Sequence, residues 1–173
     1  MSIFIRPAEE KDLDGVLEIY NDAILNTTAI YNYLPYTRKD IEQWYADKKT
    51  AKHPVFVAIV DDSVAGFTSY GQFRLRPAYK YSVEHSVYVH PNFRGRGIAK
   101  KLLLEIIEAA KQNNIHAIVA GIDADNKVSI GLHRQFNFAI VGNIKEVGYK
   151  FGKWLDLTFM ELVLETPKHP VEK

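Results

Sequence analysis

Between Val83 and Leu104 the chain reads V-E-H-S-V-Y-V-H-P-N-F-R-G-R-G-I-A-K-K-L-L-L, and this stretch restricts the fold more than any other. β-branched and aromatic residues run up to His90-Pro91, a loop with two glycines and two arginines follows, and a strongly apolar helical pattern starts at about Gly97. The order is strand, basic glycine turn, helix. The first amides of a helix lack intrahelical partners and, with the positive end of the macrodipole, face whatever lies beyond. Gly95 and Gly97 remove the side chains that would hold an anion away from the backbone, while Arg94, Arg96, Lys100 and Lys101 supply charge around it. Such a turn suits a pyrophosphate. Its spacing is neither G-x-x-x-x-G-K-[ST] nor a complete G-x-G-x-x-G, which sets aside the better-known phosphate loops.

The basic character is local. Lys plus Arg number 22 against 21 acidic residues, a net charge of +1, and no stacking aromatics are interleaved with the Arg-Gly-Arg-Gly residues, so a nucleic-acid partner is not expected. The chain has no cysteine, which excludes disulfides, thiolate metal sites and a cysteine nucleophile and fits a reducing compartment. Six histidines occur without H-x-H or H-E-x-x-H spacing, and no metal site is expected. Without an 18-residue apolar run or a basic-then-apolar leader, the expectation is a cytoplasmic protein with no membrane partner. The 173 residues are enough for one domain, placed at 1–165, and residues 166–173 form a polar, proline-containing tail that need not be ordered.

Along the chain, Ile3 to Arg6 alternates as a short strand, and a helix from about Glu10 places Leu13, Val16, Leu17, Tyr20 and Ile24 on one face. Ala29 to Tyr36 carries five large apolar residues without clean period, which suits either an aromatic cover over a pocket or a loop packed on the core. Thr37-Arg38-Lys39-Asp40 opens a second helix as a variant capping box, with Ile41, Trp44 and Tyr45 inward. Val55 to Val60 and Val64 to Tyr70 flank Asp61-Asp62-Ser63 as a hairpin, and Ser82 to Val89 follows as a strand. After the helix from Gly97 to Gln112, Ala117 to Ile122 is a continuous apolar run of the kind buried on both faces, a parallel neighbour across a β-α-β crossover. A helix from about Asn126 to Phe136 comes next. Phe138 to Val141 and Trp154 to Leu164 read as two strands joined by a long arm containing Gly142, Gly148 and Gly152. The sum is an α/β (α+β) protein, a mixed, mostly antiparallel sheet flanked by helices with a parallel pair at its centre.

Arg94-Gly95-Arg96-Gly97-Ile98-Ala99 after a Val-Tyr-Val strand resembles the R/Q-x-x-G-x-G/A signature of the GNAT N-acetyltransferases. The likeness extends over Ile3 to Leu164. Ser69-Tyr70-Gly71, Arg74-Leu75-Arg76, Val83 to Val89, Ser129-Ile130-Gly131-Leu132-His133 and Gly148 to Asp156 together resemble the phosphinothricin and methionine sulfoximine N-acetyltransferases. The resemblance implies the GNAT fold, whose central parallel strands splay. It implies acetyl-CoA as co-substrate, held by Val87, Tyr88 and Val89 along the pantetheine arm, by Arg94, Gly95, Arg96, Gly97, Ile98, Ala99 and Lys100 at the pyrophosphate, and by Asn126 and Ser129. It also implies a general base at Glu84 and a small amino-acid substrate bordered by Tyr31, Arg74, Leu75, Arg76, Glu84, His85 and Ser86. A homodimer with the Lys150 to Trp154 arm near its interface follows from the same likeness.

The residues themselves carry part of this chemistry. Acetyl transfer to an amine needs the ammonium deprotonated, and strand alternation puts Glu84, Ser86 and Tyr88 on one face and Val83, His85, Val87 and Val89 on the other. Arg74 and Arg76, two apart on an extended backbone, can grip a carboxylate or phosphinate bidentately, although arginines before Pro77 also suit plain solvation. Ser129 and His133 are four apart on a helix and share a face. His133 stands where the superfamily commonly has a tyrosine and Asn137 where it has glycine, so His133 is a candidate general acid or a residue that only packs on the cofactor. The leading expectation is acetylation of the α-amino group of an analogue such as phosphinothricin, methionine sulfoximine or methionine sulfone. The alternatives are another amine, a polyamine or a protein amino terminus, and a non-catalytic acyl-CoA-binding module.

Overall fold

The computed structural model describes residues 2–172, so the outermost positions of the expected domain and tail, 1 and 173, lie outside the described chain. The elements run β1 (Phe4–Pro7), α1 (Leu13–Asn26), α2 (Arg38–Thr50), β2 (Val55–Val60), β3 (Ser63–Gln72), β4 (Ser82–Val89), α3 (Ile98–Gln112), β5 (Ala117–Asp123), α4 (Lys127–Arg134), β6 (Ala139–Lys150) and β7 (Lys153–Val163). The seven strands are ordered β1-β2-β3-β4-β5-β7-β6, with β4 and β5 parallel and the β1–β2, β2–β3, β5–β7 and β6–β7 registers antiparallel. The mixed, mostly antiparallel sheet expected from the sequence is present. Contacts divide the chain into two compact units, one holding residues up to Tyr70 with Ser86–Ile106, the other Gly71–His85 with Ile107 onward.

In the first unit, β2 and β3 form the expected hairpin, turned at Asp61 and Asp62 with φ of 47° and 61°. Short acidic side chains tolerate that left-handed pair, which matches the twist of the strands. Alternation then sends neighbours on β2 to different cores. Val57 joins Leu13, Val16, Ile19, Ile41 and Phe67, while Ala58 joins Ala65, Ile98 and Leu102. Both faces of β2 are therefore apolar, and it reads as a continuous hydrophobic run. The α1 stripe is wider than expected, because Ile19 and Ala23 are buried in addition to Leu13, Val16 and Ile24.

Local signals set the helix starts. At α2, Thr37 accepts from the Asp40 amide at 3.3 Å and Asp40 accepts from the Thr37 amide at 2.7 Å, the reciprocal box that satisfies two orphan donors. Ahead of α1, Arg6 holds Asp12 with a forked pair of bonds at 2.6 and 2.8 Å. Burial pushes the Asp12 carboxyl up, but Arg6 and the Glu9 amide outweigh it and hold the group below the usual carboxylate range. The 29–36 loop packs on the core in part. Asn21 brackets the Tyr36 backbone at 2.9 and 2.8 Å and Tyr36 packs on Tyr20, whereas Tyr33 and Leu34 are exposed.

In the second unit, β5 pairs with β7 along its whole length, from Ala117↔Val163 to Asp123↔Leu157. Here the structure departs from the sequence expectation. The arm after Val141 is itself strand, so β6 and β7 form one long hairpin closed at Phe151-Gly152, with φ of 52° and 75°. Gly142 and Gly148 sit at register shifts, which absorb the irregularity without ending the pairing. The final segment is pinned. Thr166 Oγ1 donates to the Ile115 carbonyl at 2.5 Å, and the Tyr81 hydroxyl exchanges hydrogen bonds with Val171 at 3.1 and 3.0 Å.

Gly15 marks a close approach of α1 to β3, since a Cβ there would lie 2.6 Å from Val64 Cβ. Helix propensity favours Gly15→Ala by about 1 kcal/mol. Overpacking opposes it by about 1–3 kcal/mol. Gly15→Ala is therefore expected to lower the midpoint of urea unfolding. A raised midpoint would show that α1 stands off β3.

Candidate active site

The glycine turn lies in the first unit. Gly95 and Gly97 have φ of 76° and 77°, a conformation side chains disfavour, and the position of a Cβ on either is open. The first α3 bond runs from Lys101 N to Gly97 O at 3.2 Å, so the amides of Ile98, Ala99 and Lys100 stand ahead of the helical ladder. Ile98, buried, anchors that end against Ala58 and Leu102. These amides and open glycines fit a pyrophosphate. The arginines also brace the turn. Arg94 donates to the Val89 carbonyl at 3.3 Å and to Asp22 at 2.9 Å, and Arg96 donates to the Asn92 carbonyl at 3.1 Å with its guanidinium 5.3 Å from the Phe93 ring. Lys100 and Lys101 are exposed.

β4 supplies the other residues by alternation. Val87 and Val89 pack with the Ile98–Leu102 cluster, whereas Tyr88 packs on Phe67 and Tyr20 at ring distances of 5.3 and 5.5 Å. Their side chains, half-buried, are held by this packing, and the main chain between them is the part suited to meet a ligand. Ser86, half-buried, accepts a bond from Thr68 Oγ1 at 2.7 Å through its carbonyl. Tyr31 is half-buried in the 29–36 loop.

In the second unit, β4 is paired to β5 at Ser82↔Ala117, Val83↔Ile118 and Glu84↔Val119. Glu84 is half-buried, and its Oε1 lies over the bare Cα of Gly121, 3.0 Å from where a Cβ would stand. Leu157 and Phe159 flank the same point, at 3.6 and 3.7 Å. Burial raises the Glu84 carboxyl above its ordinary range, and the charge of Arg74 opposes that rise. Arg74, Leu75 and Arg76 are exposed in a run of bends, not the extended segment expected, and the Arg74 guanidinium stacks 4.4 Å from the Phe73 ring. The chain must turn there to enter the 3-10 turn at Pro77–Tyr79.

On the opposite face of β4, His85 meets His133 of α4, Nε2 to Nε2, at 3.0 Å. Both rings are buried, at 6% and 2% exposure, so their protons can be assigned from the partners. His133 Nδ1 donates to the Ser129 carbonyl at 2.7 Å. Its Nε2 therefore carries the lone pair that accepts from His85 Nε2–H, and His85 Nδ1 is left as a buried acceptor without a hydrogen-bond partner. Burial first, and the neighbouring His133 second, depress the His85 imidazole to about 3. Burial also lowers His133, against the raising effect of the Ser129 carbonyl. Asn126 caps α4, its Oδ1 accepting from the Ser129 amide at 3.0 Å. Asn137, at the place expected of glycine, adopts φ of 64°, which asparagine tolerates best among residues with a side chain.

Thus Arg74, Leu75, Arg76, Glu84, His85, Asn126, Ser129 and His133 belong to one unit, and Tyr31, Ser86, Val87 to Val89 and Arg94 to Lys100 to the other. Sequence reasoning missed the histidine pair and the floor under Glu84. The second had a signal, an isolated glycine inside the apolar run A-I-V-A-G-I.

Residues 16–138 match the Acetyltransferase (GNAT) family, and the chain belongs to it. It is 45% identical over 166 residues, 95% of this chain and 96% of the relative, to the L-methionine sulfoximine/L-methionine sulfone acetyltransferase of Pseudomonas aeruginosa. Among solved structures it is similar to an N-acetyltransferase from Staphylococcus aureus Mu50, with TM-score 0.93, 48% identity and coverage of 94% and 99% of the two chains. It is also similar to a GNAT superfamily phosphinothricin acetyltransferase from Sinorhizobium meliloti in complex with acetyl-CoA, with TM-score 0.94, 32% identity and coverage of 98% and 93%.

A depressed imidazole pKa binds stability to pH. Unfolded histidine titrates near pH 6.5. The contribution of His85 is complete above that value and is lost progressively as the pH falls toward about 3, because the unfolded chain takes up the proton first. Urea unfolding should show stability falling between pH 7 and pH 5. His85→Gln should flatten that slope, and an unchanged slope would place the acid sensitivity elsewhere.

Proposed function

We propose that this protein acetylates the α-amino group of a small amino-acid analogue of the methionine sulfoximine, methionine sulfone or phosphinothricin type, acting as one domain over residues 1–165. The observation that carries the mechanism is the half-buried Glu84 carboxylate, raised by burial and set over a glycine. A carboxylate so raised is a better proton acceptor near neutrality than an exposed one. Acetyl-CoA supplies an activated acetyl thioester with a thiolate leaving group. The amides of Ile98, Ala99 and Lys100, with Arg94, Gly95, Arg96 and Gly97, hold its pyrophosphate, the main chain of Val87, Tyr88 and Val89 orients the pantetheine arm, and Asn126 and Ser129 complete the contact.

Glu84 takes the ammonium proton of the substrate, freeing the nitrogen lone pair. Arg74 and Arg76, flanking Leu75, engage the substrate carboxylate, and Tyr31 and Ser86 border it, whereas His85, buried on the opposite face of β4 against His133, supports the strand and not the substrate as the sequence had suggested. Arg74 thereby has two effects, holding the substrate and opposing the rise in the Glu84 pKa. With Nδ1 committed to Ser129 and Nε2 to His85, His133 acts in this scheme by holding His85. The charge of Arg74 acting on the base, with Arg76 two residues further on, disfavours a polyamine substrate. Support for the substrate class comes from the 45% identical relative, whose substrates are methionine sulfoximine and methionine sulfone.

The test is thiol release from acetyl-CoA with phosphinothricin, methionine sulfoximine, methionine sulfone, ordinary amino acids and spermidine. The analogues should be turned over and spermidine not. Glu84→Gln should lower kcat by about 10² or more and remove the acid limb of kcat/KM while leaving the KM for acetyl-CoA unchanged. Preference for spermidine, or undiminished turnover in Glu84→Gln, would sink the reading.

The reading includes a cytoplasmic homodimer. Tyr149, Phe151 and Trp154 are exposed together at the closed end of the β6–β7 hairpin, and Ile140, Val141, Ile144 and Val147 are exposed along it. Clusters of this kind suit a protein interface. Light scattering should give the mass of a dimer, and Trp154→Glu should shift it to that of a monomer. A wild-type monomer at micromolar concentration would remove the interface.

A further inference from the structure

Gly121 is the residue the sequence passes over and the structure makes conspicuous. It lies on β5 opposite Phe159 of β7, two positions beyond Val119, where the pairing with Glu84 is made. Residues 119 and 121 share a face of β5, so Glu84, starting level with Val119, leans along the strand and brings Oε1 over the next position on that face. There a side chain would crowd the carboxylate. The Cβ of any other residue would stand 3.0 Å from Oε1, 3.6 Å from Leu157 Cδ1 and 3.7 Å from Phe159 Cε1. Only the contact to oxygen is shorter than ordinary packing. Backbone conformation does not explain the glycine, because Gly121 lies outside the left-handed region that holds Gly95, Gly97 and Gly152.

We infer that Gly121 is a positioning residue for the reaction: its missing side chain is the seat on which the Glu84 carboxylate rests, between Leu157 and Phe159, in the place where it meets the substrate ammonium. The inference rests on Glu84 being the general base and adds what fixes that base in space. The seat has two consequences. It holds the carboxylate of a half-buried side chain close against the strand, in keeping with the burial that raises the group. It also separates activity from stability, since glycine inside a strand weakens it and a larger residue would strengthen the sheet while displacing the base.

Gly121→Ala is the test. The group that must give way is the free end of a flexible side chain, so the fold is expected to hold and the Tm to stay or rise. Displacement by even a fraction of an ångström toward solvent and Arg74 should lower kcat by about 10- to 100-fold. It should also move the acid limb of kcat/KM to lower pH, because the displaced carboxylate loses part of its burial, with the KM for acetyl-CoA within about 2-fold of wild type. A merely structural role would lower the Tm and leave the pH limb in place. In the Glu84→Gln background, Gly121→Ala should change kcat by less than about 2-fold, because both substitutions remove one function. Wild-type kcat and pH profile in Gly121→Ala, or a full additional loss in the Glu84→Gln background, would overturn the inference. Wild-type turnover in Glu84→Gln alone is the separate result that would remove the general base, and the seat with it.

Discussion

Alternation along β4 is the constraint on which the other features depend. A strand must send successive side chains to opposite faces, and this one uses the rule to assign four tasks within six residues. Glu84 goes to one face, over Gly121 and beside Leu157 and Phe159; His85 goes to the other, against His133 and Phe138. Further along, Tyr88 enters the aromatic cluster with Tyr20 and Phe67 while Val87 and Val89 pack with the residues that anchor α3. A slip of one residue would exchange a carboxylate for an imidazole, and polar for apolar, at each of these places. The two cores thus hold the register that the chemistry needs.

The histidine pair shows how a polar pair can sit in such a core. Two imidazoles share one hydrogen bond only if both are neutral and their protons run in one direction, and the Ser129 carbonyl sets that direction by fixing the Nδ1 proton of His133. The pair is uncharged at neutral pH, so it fixes β4 against α4 without burying a charge. The same burial makes the contact sensitive to acid, which ties the integrity of the second unit to the protonation of groups one residue from the base.

Most of the fold was legible because its signals are local. The capping box at Thr37, the Asp61-Asp62 turn, the bounds of β4 and the glycines before α3 all depend on chemistry within a few residues. The β6–β7 arm was not, because its glycines read as breaks in one dimension and became register shifts once β7 was present to pair with. The site divides in the same way. Glu84 and the glycine turn could be found from alternation and spacing. The meeting of His85 with His133 joins residues 48 apart and required the tertiary structure. The bends at Arg74 to Arg76 were hidden for a related reason, since a two-residue spacing implies a shared side only on an extended backbone.

The placement of the glycines argues for a division of labour between the units. Gly95 and Gly97 are needed for backbone conformation, and the openness above them leaves main-chain amides free to meet an anion whose identity the amides do not read. Gly121 lies outside the left-handed region and leaves space instead, at the point where the carboxylate of the proposed base lies close. The first arrangement tolerates any ligand bearing the right phosphate. In the proposed reaction the second would serve the deprotonation of an amine, and the arginines on the 74–76 bends would favour an amine carrying an acidic group. Variation in substrate among proteins of this construction should therefore fall on the residues around Glu84 and the 74–76 bends, and leave the glycine turn unaltered.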